Sequence, residues 1–170
     1  IDTNYLLFMD ADTRVVNLKK ALKLIETTNA DLLSIFPTQQ MLTFSERITV
    51  PIMNYILLMA LPLFLMRISN TASFATANGQ FMLFKTDSYK KINGHKSVKN
   101  EIAEDSELAK KMLSKNKNVA TIPDIGVVRT RMYVSYIDAL KGLSRSIQLA
   151  VSKDILVFLL VVTIIISSIL

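Results

Sequence analysis

Tyr5-Leu6-Leu7-Phe8-Met9-Asp10-Ala11-Asp12-Thr13 decides how the rest of the chain is read. Bulky apolar side chains, of the kind that fill a strand buried on both faces, end abruptly in two carboxylates one residue apart. In an open α/β sheet, ligands bind outside the carboxyl ends of the strands, where these acids fall. As strand gives way to turn, both can bear on one hard divalent cation. Mg²⁺ takes few protein carboxylates and completes its shell with water and phosphate oxygens. Asp10 and Asp12 therefore point to a metal–diphosphate site. The same pair in isolation is common in solvated turns and helix caps; the apolar strand before it and a second acid cluster downstream set it apart.

The bulk properties narrow the classes. A length of 170 residues suits one domain, and 51% hydrophobic content leans toward membrane association. Without cysteine there is neither a disulfide framework nor a thiolate metal site. A net charge of +6 suits anionic headgroups or nucleotide phosphates. The basic residues are spread along the chain with no aromatic-interleaved patch, so no nucleic-acid partner is expected. An opening at Ile1 without Met, and a close at Leu170 within an apolar run, are expected of an internal segment of a longer chain.

Beyond the acidic turn, Asn17 can cap a helix running to about Thr28, with Leu18, Ala21, Leu22 and Ile25 at helical spacing. Asp31 to Phe36 reads as a strand stopped by Pro37, and strand–helix–strand is the βαβ unit of a parallel sheet. Ile48 to Met66 is then an uncharged run of about nineteen residues between Arg47 and Arg67. Pro51, Asn54 and Pro62 interrupt it, which favours a helix lying at a membrane interface over a full crossing.

Asn78-Gly79-Gln80 is a turn signal ahead of a buried strand, Phe81 to Phe84. Thr86 can cap a short helix that Asn93-Gly94 ends. His95, the single histidine, reads as a loop hydrogen-bonder. Glu101, Glu104, Asp105 and Glu107 lead into an apolar-striped helix, favoured there by the macrodipole. A carboxylate at such a helix start, aimed into a cleft, can also take a proton from an attacking hydroxyl, and Asp105 is placed for that. Val119 to Ile122 reads as a strand. Arg129 and Arg131 could neutralise a diphosphate leaving group or meet lipid phosphates. Val134 to Ala150 has an amphipathic pattern, and 155–170 reads as the start of a transmembrane helix.

In this order the motifs resemble glycosyltransferase family 2, and within it the membrane-bound branch that includes carotenoid glycosyltransferases of the diaponeurosporenoate type. The strand ending in Asp10-Ala11-Asp12, the Asn78-Gly79-Gln80 turn, Gly94-His95-Lys96-Ser97, Ala103-Glu104-Asp105 and Arg131-Met132-Tyr133 carry the likeness. It implies an α/β GT-A fold, incomplete at its amino-terminal side, over 1–150. An apolar interface helix at 48–66 and a membrane segment at 155–170 complete it. It also implies an inverting transfer from a nucleotide-diphosphate sugar, a divalent cation (Mg²⁺ or Mn²⁺), and a lipid-like or membrane-proximal acceptor. The expected location is the cell membrane, with the catalytic part on the cytoplasmic side.

By this resemblance Asp12 meets the metal and Asp10 lies by the donor. Asp105 is the general base, and Arg131 matches the arginine of a Gln-x-x-Arg-Trp motif. Glu104, Gly79 and Gln80 stand on the acceptor side. Val128 and Met132 replace the Gln and Trp of that motif, which argues against processive polymer synthesis. Two alternatives remain. One is a haloacid-dehalogenase-like phosphatase, which also opens with a strand into Asp-x-Asp but would want Thr or Val where Arg14 stands. The other is a membrane scaffold whose acids are merely solvated.

Overall fold

The computed structural model describes residues 2–44, 46–48, 50–51, 77–101, 103–132, 137–138, 141–142, 144 and 163. The chain divides into two compact units, one of residues 1–40 and 63–130, the other of 41–62 and 131–170.

The first unit is mixed α/β. Its main sheet holds β1 (Tyr5–Met9), β3 (Leu32–Phe36), β5 (Phe81–Lys85) and β6 (Val119–Pro123) in the order β1-β5-β3-β6. The expected parallel βαβ unit is corrected here. β1 and β3 do run parallel, but β5 lies between them and is antiparallel to both; β3–β6 is the parallel ladder of this sheet. The strand pattern could not reveal the insertion, because a strand buried on both faces reads alike whichever way its neighbours run.

Packing follows from the strand period of two. Phe81 and Leu83 of β5 join Leu33, Ile35 and the helix α1 (Leu18–Thr27) residues Ala21 and Ile25 on one face. Met82 and Phe84 join Leu32 and the helix α3 (Glu104–Ser114) residues Leu108, Ala109 and Met112 on the other. Each such large side chain removed from water contributes roughly 1.5–3 kcal/mol. Ser34 is the polar exception in β3, and its hydroxyl is fully used. It accepts from the Asn78 N–H at 2.7 Å and donates to the Asn78 carbonyl at 3.2 Å.

α1 starts as the sequence predicts, with Asn17 Oδ1 accepting from the Lys20 N–H at 3.0 Å. Thr86 is different. It is the first residue of α2 (Thr86–Lys91), not its cap, and its buried hydroxyl has no partner among the described residues. Asn93 and Gly94 both take positive φ after α2, and a Cβ at Gly94 would run into the Tyr89 ring. Only glycine fits there. His95 Nδ1 lies 2.7 Å from the Tyr89 hydroxyl, as expected of a loop hydrogen-bonder.

A second, small sheet lies outside the sequence reading: β2 (Thr13–Val15), β7 (Val128–Thr130) and β4 (Thr38–Gln39), in the order β2-β7-β4. Strands this short leave no periodicity to read.

In the second unit, residues 44, 46–48, 50 and 51 are helical. Thr43 and Glu46 form a capping box at the start of this segment. The Glu46 N–H donates to Thr43 Oγ1 at 3.3 Å, and Glu46 Oε2 accepts from the Thr43 N–H at 3.2 Å. Positions 137, 138, 141, 142 and 144 are also helical, in line with the amphipathic pattern of 134–150. Most of the 48–66 run and, apart from residue 163, all of 155–170 lie outside the described residues. Among the described residues no helix is long and apolar enough to cross a membrane.

Candidate active site

The acids of the opening stretch sit where two sheets meet within the first unit. The last pair of the β1–β5 ladder is Met9 with Phe81, so Asp10 leaves the strand at the edge where Gln80 enters. The Asp10 carbonyl accepts from the Thr13 N–H at 3.1 Å, closing a turn over Asp10-Ala11-Asp12-Thr13. Thr13 then opens β2, which pairs with β7, and the Thr130 hydroxyl donates to the Asp12 carbonyl at 3.3 Å. The turn is thus anchored at both ends, while the Asp10 and Asp12 side chains stay exposed.

Asp105 arrives from a distant part of the chain. α3 is fixed by Leu108, Ala109 and Met112 in the core, which brings its first turn against the Asn78–Gln80 turn. Asp105 Oδ2 accepts from the Gly79 N–H at 3.0 Å, and Oδ1 accepts from the Ser106 N–H at 2.6 Å. A Cβ at Gly79 would meet Asp105 Oδ2 at 3.6 Å, ordinary contact, so the amide and not the missing side chain is what the site takes from this glycine.

The electrostatics join the two clusters. Although Asp10 is exposed to solvent, its carboxyl is partly desolvated at the sheet edge, and this first, then the charges of Asp12, Glu104 and Asp105, raises its pKa. Asp105 is raised as well. Burial dominates, the Ser106 and Gly79 amides pull the other way, and the Glu104 charge adds to the rise. The charges of Asp12, Glu104 and Asp105 therefore all act on Asp10, and Asp10 and Asp105 hold their protons more tightly than a free aspartate.

Gln80 completes the rim. It is buried, its N–H donates to Asn78 Oδ1 at 2.9 Å, and its Oε1 lies 3.4 Å from Asn78 Nδ2. Among the described residues its Nε2 has no acceptor, a donor left over at the turn that holds Asp105.

The donor set fits a hard divalent cation held by two carboxylates at an open edge, which leaves most of its coordination to water and phosphate. The mutual repulsion at Asp10 is the feature such a charge relieves. Among the described residues no group of three or more Asp, Glu, His or Cys side chains is placed to hold a metal ion, so Asp10 and Asp12 would have to serve as a pair. A cavity of about 500 Å³ lies at the other end of β1 and β5, lined by Tyr5, Lys85, Thr86 and Lys90 among others, away from this acid cluster.

Arg131 belongs to the second unit, where its Nη2 donates to Glu46 Oε1 at 2.7 Å. The Arg131 guanidinium and the Leu42 and Thr43 amides bring the Glu46 carboxyl down to about 2. Glu46 is the partner of Arg131 that the sequence reading missed. Its signal was present, since Thr-x-x-Glu before an apolar run marks a helix start; nothing local announces Arg131, 85 residues away, as its partner.

The chain matches no family model, and no curated protein matches it.

Proposed function

We propose that the chain is the catalytic part of a metal-assisted, inverting glycosyltransferase of GT-A type, moving a sugar from a nucleotide diphosphate to a lipid-like or membrane-proximal acceptor. The observation that carries this reading is that Asp105, held by the Gly79 amide, adds its charge to the field at Asp10. Asp105 and Asp10, with α1, α2 and two strands of the main sheet between them in sequence, come within reach of each other's charge.

The roles follow from the chemistry of each group. Asp12 and Asp10 would hold the divalent cation, which neutralises the charge that grows on the diphosphate as the sugar–phosphate bond breaks. Asp105 takes the proton of the acceptor hydroxyl as that oxygen attacks the anomeric carbon from the face opposite the diphosphate. A raised pKa makes it a better base than a free aspartate. The Gly79 and Ser106 amides fix its two oxygens and hence its direction. Gln80 Nε2 is a spare donor for a sugar or acceptor oxygen. Arg131, which the resemblance alone assigns to the diphosphate, is held by Glu46 within its own unit.

The test is turnover of a panel of nucleotide-diphosphate sugars with Mg²⁺ or Mn²⁺. Asp105→Asn is expected to lower transfer by roughly 10²–10⁴-fold, the usual contribution of a positioned base, while donor binding survives. Unchanged turnover removes Asp105 from the chemistry. Metal-dependent phosphate release from a simple phosphomonoester, with none from nucleotide sugars, replaces the reading with the phosphatase.

A further inference from the structure

The β1–β5 ladder runs from Met9–Phe81, beside the acidic turn, to Tyr5–Lys85 at the opposite edge of the sheet. The five residues of β1 set these edges roughly 14 Å apart. At the far edge lies the cavity of about 500 Å³, built wholly within the first unit. That volume is in the range of small-molecule sites, but such sites are mostly apolar and this one is not. Of its eleven lining residues only Tyr5 offers a large apolar surface; the rest are Lys, Asp, Asn, Ser or Thr.

Lysines reach it from three places: Lys85 at the end of β5, Lys90 and Lys91 on α2, and Lys117 ahead of β6. Asp2 and Asp87 are the acids of the wall, so its four cations outnumber its anions by two. Asp31 faces Lys117 at 4.0 Å from behind the wall, and its carboxylate already accepts from the Ser88 hydroxyl at 2.5 Å and the Asn118 N–H at 3.0 Å. Counting Asp31 still leaves the lysines in excess. Among the described residues the Lys90 and Lys91 ammonium groups form neither an ion pair nor a hydrogen bond.

A second observation falls on the same wall. Thr86 is 4% exposed, and its hydroxyl has no partner among the described residues. A buried hydroxyl left in that state lowers stability unless something accepts its proton. Threonine on a helix keeps two χ1 wells, so this hydroxyl can turn toward the cavity.

We propose that the cavity binds a small soluble molecule through a phosphate monoester, which the lysines neutralise and the Thr86 hydroxyl bonds. Charge selects the class. A phosphate monoester carries about −1.5 to −2 at pH 7, close to the surplus of the wall, whereas a carboxylate or a phosphate diester brings a single charge. Size excludes a nucleic acid, which needs a cationic groove along its backbone and not a closed recess. The site lies at the opposite edge of the sheet from Asp10 and Asp12, and goes beyond the transferase reading.

The test uses phenyl phosphate with the whole chain in buffer free of divalent cations. Titration calorimetry should give saturable heat, and thermal melts a higher melting temperature; sodium chloride at matched ionic strength should give neither. The double variant Lys90→Gln, Lys91→Gln changes two exposed side chains, and its circular dichroism should match the parent. Its affinity should fall roughly tenfold or more, the effect of losing a charge-assisted contact. Thr86→Val should weaken binding several-fold without lowering the melting temperature of the free protein, a split that a purely structural hydroxyl would not give. Absence of saturable heat overturns the proposal, as does heat that survives intact in the lysine variant. An equal response to dimethyl phosphate overturns the choice of a monoester. Phosphatidic acid vesicles carry the same monoester on a lipid; a response to them and none to phenyl phosphate overturns the soluble ligand. The readout needs neither metal nor sugar donor, so this proposal and the transferase reading can fail independently.

Discussion

Asp105 and Asp10 have folded-state pKa values above the ordinary 3.8, so the fold penalises their ionised forms. Stability from these groups is fully present below 3.8 and is lost as pH rises through the raised values. Asp10→Asn should therefore raise the melting temperature at pH 7, and the gain should vanish below about pH 3.8, where both residues are neutral. A divalent cation should reproduce that gain in the parent protein by offsetting the same repulsion. The cation effect should disappear in the Asp10→Asn, Asp12→Asn double variant; thermal melts with and without Mn²⁺ check both. At this scale much of the site was legible. A pair of acids closing an apolar strand, and an acid opening an apolar-striped helix, each carry their own local pattern. Glu46 and the Gly79 amide were harder to see, because their importance lies in partners that only the folded chain supplies.

Among the elements, α1 has the plainest beginning. Asn17→Ala removes the acceptor for the Lys20 amide and should lower stability by roughly 1 kcal/mol in chemical denaturation. Gly94→Ala should do more harm, since it meets both a positive φ and the Tyr89 ring; strain of this kind is worth roughly 1–3 kcal/mol. Strand and helix positions were readable because burial writes a period of two or 3.6 into the sequence. Strand partners were not. Phe81–Phe84 reads as a buried strand wherever it sits, and its place between β1 and β3 is fixed by non-local packing against α1 on one face and α3 on the other. The three strands of the small sheet escaped because two or three residues are too few to show a pattern.

Across the molecule, acid stability rests on a few carboxylates with lowered pKa. Asp31, bonded by Ser88 and Asn118, and Asp124, bonded by Thr38 and the Val127 and Val128 amides, lie below their ordinary value despite burial. Glu46 lies at about 2 against an ordinary 4.5. Their contribution is present above the ordinary values and is lost as pH falls through the folded ones. Glu46→Gln should therefore flatten the acid limb of the stability curve between pH 4.5 and about 2, and leave its shape above that range alone. For the uncharged runs at 48–66 and 155–170, composition reports a preference of solvent but not an orientation, so crossing and lying flat read alike in the sequence.

The position of β5 has a consequence for synthesis. β1, α1 and β3 emerge from the ribosome before β5, yet β1 and β3 have no ladder with each other; the strand that joins them is made only after the whole stretch 37–80. Until Phe81–Lys85 appears, the nascent sheet has a gap, flanked by Leu7 and Leu33 with unpaired amides beside them. The growing chain must keep that slot open and unclaimed by other strands, so a holdase or a nearby lipid surface should increase the yield of the folded protein more than any gain in its final stability.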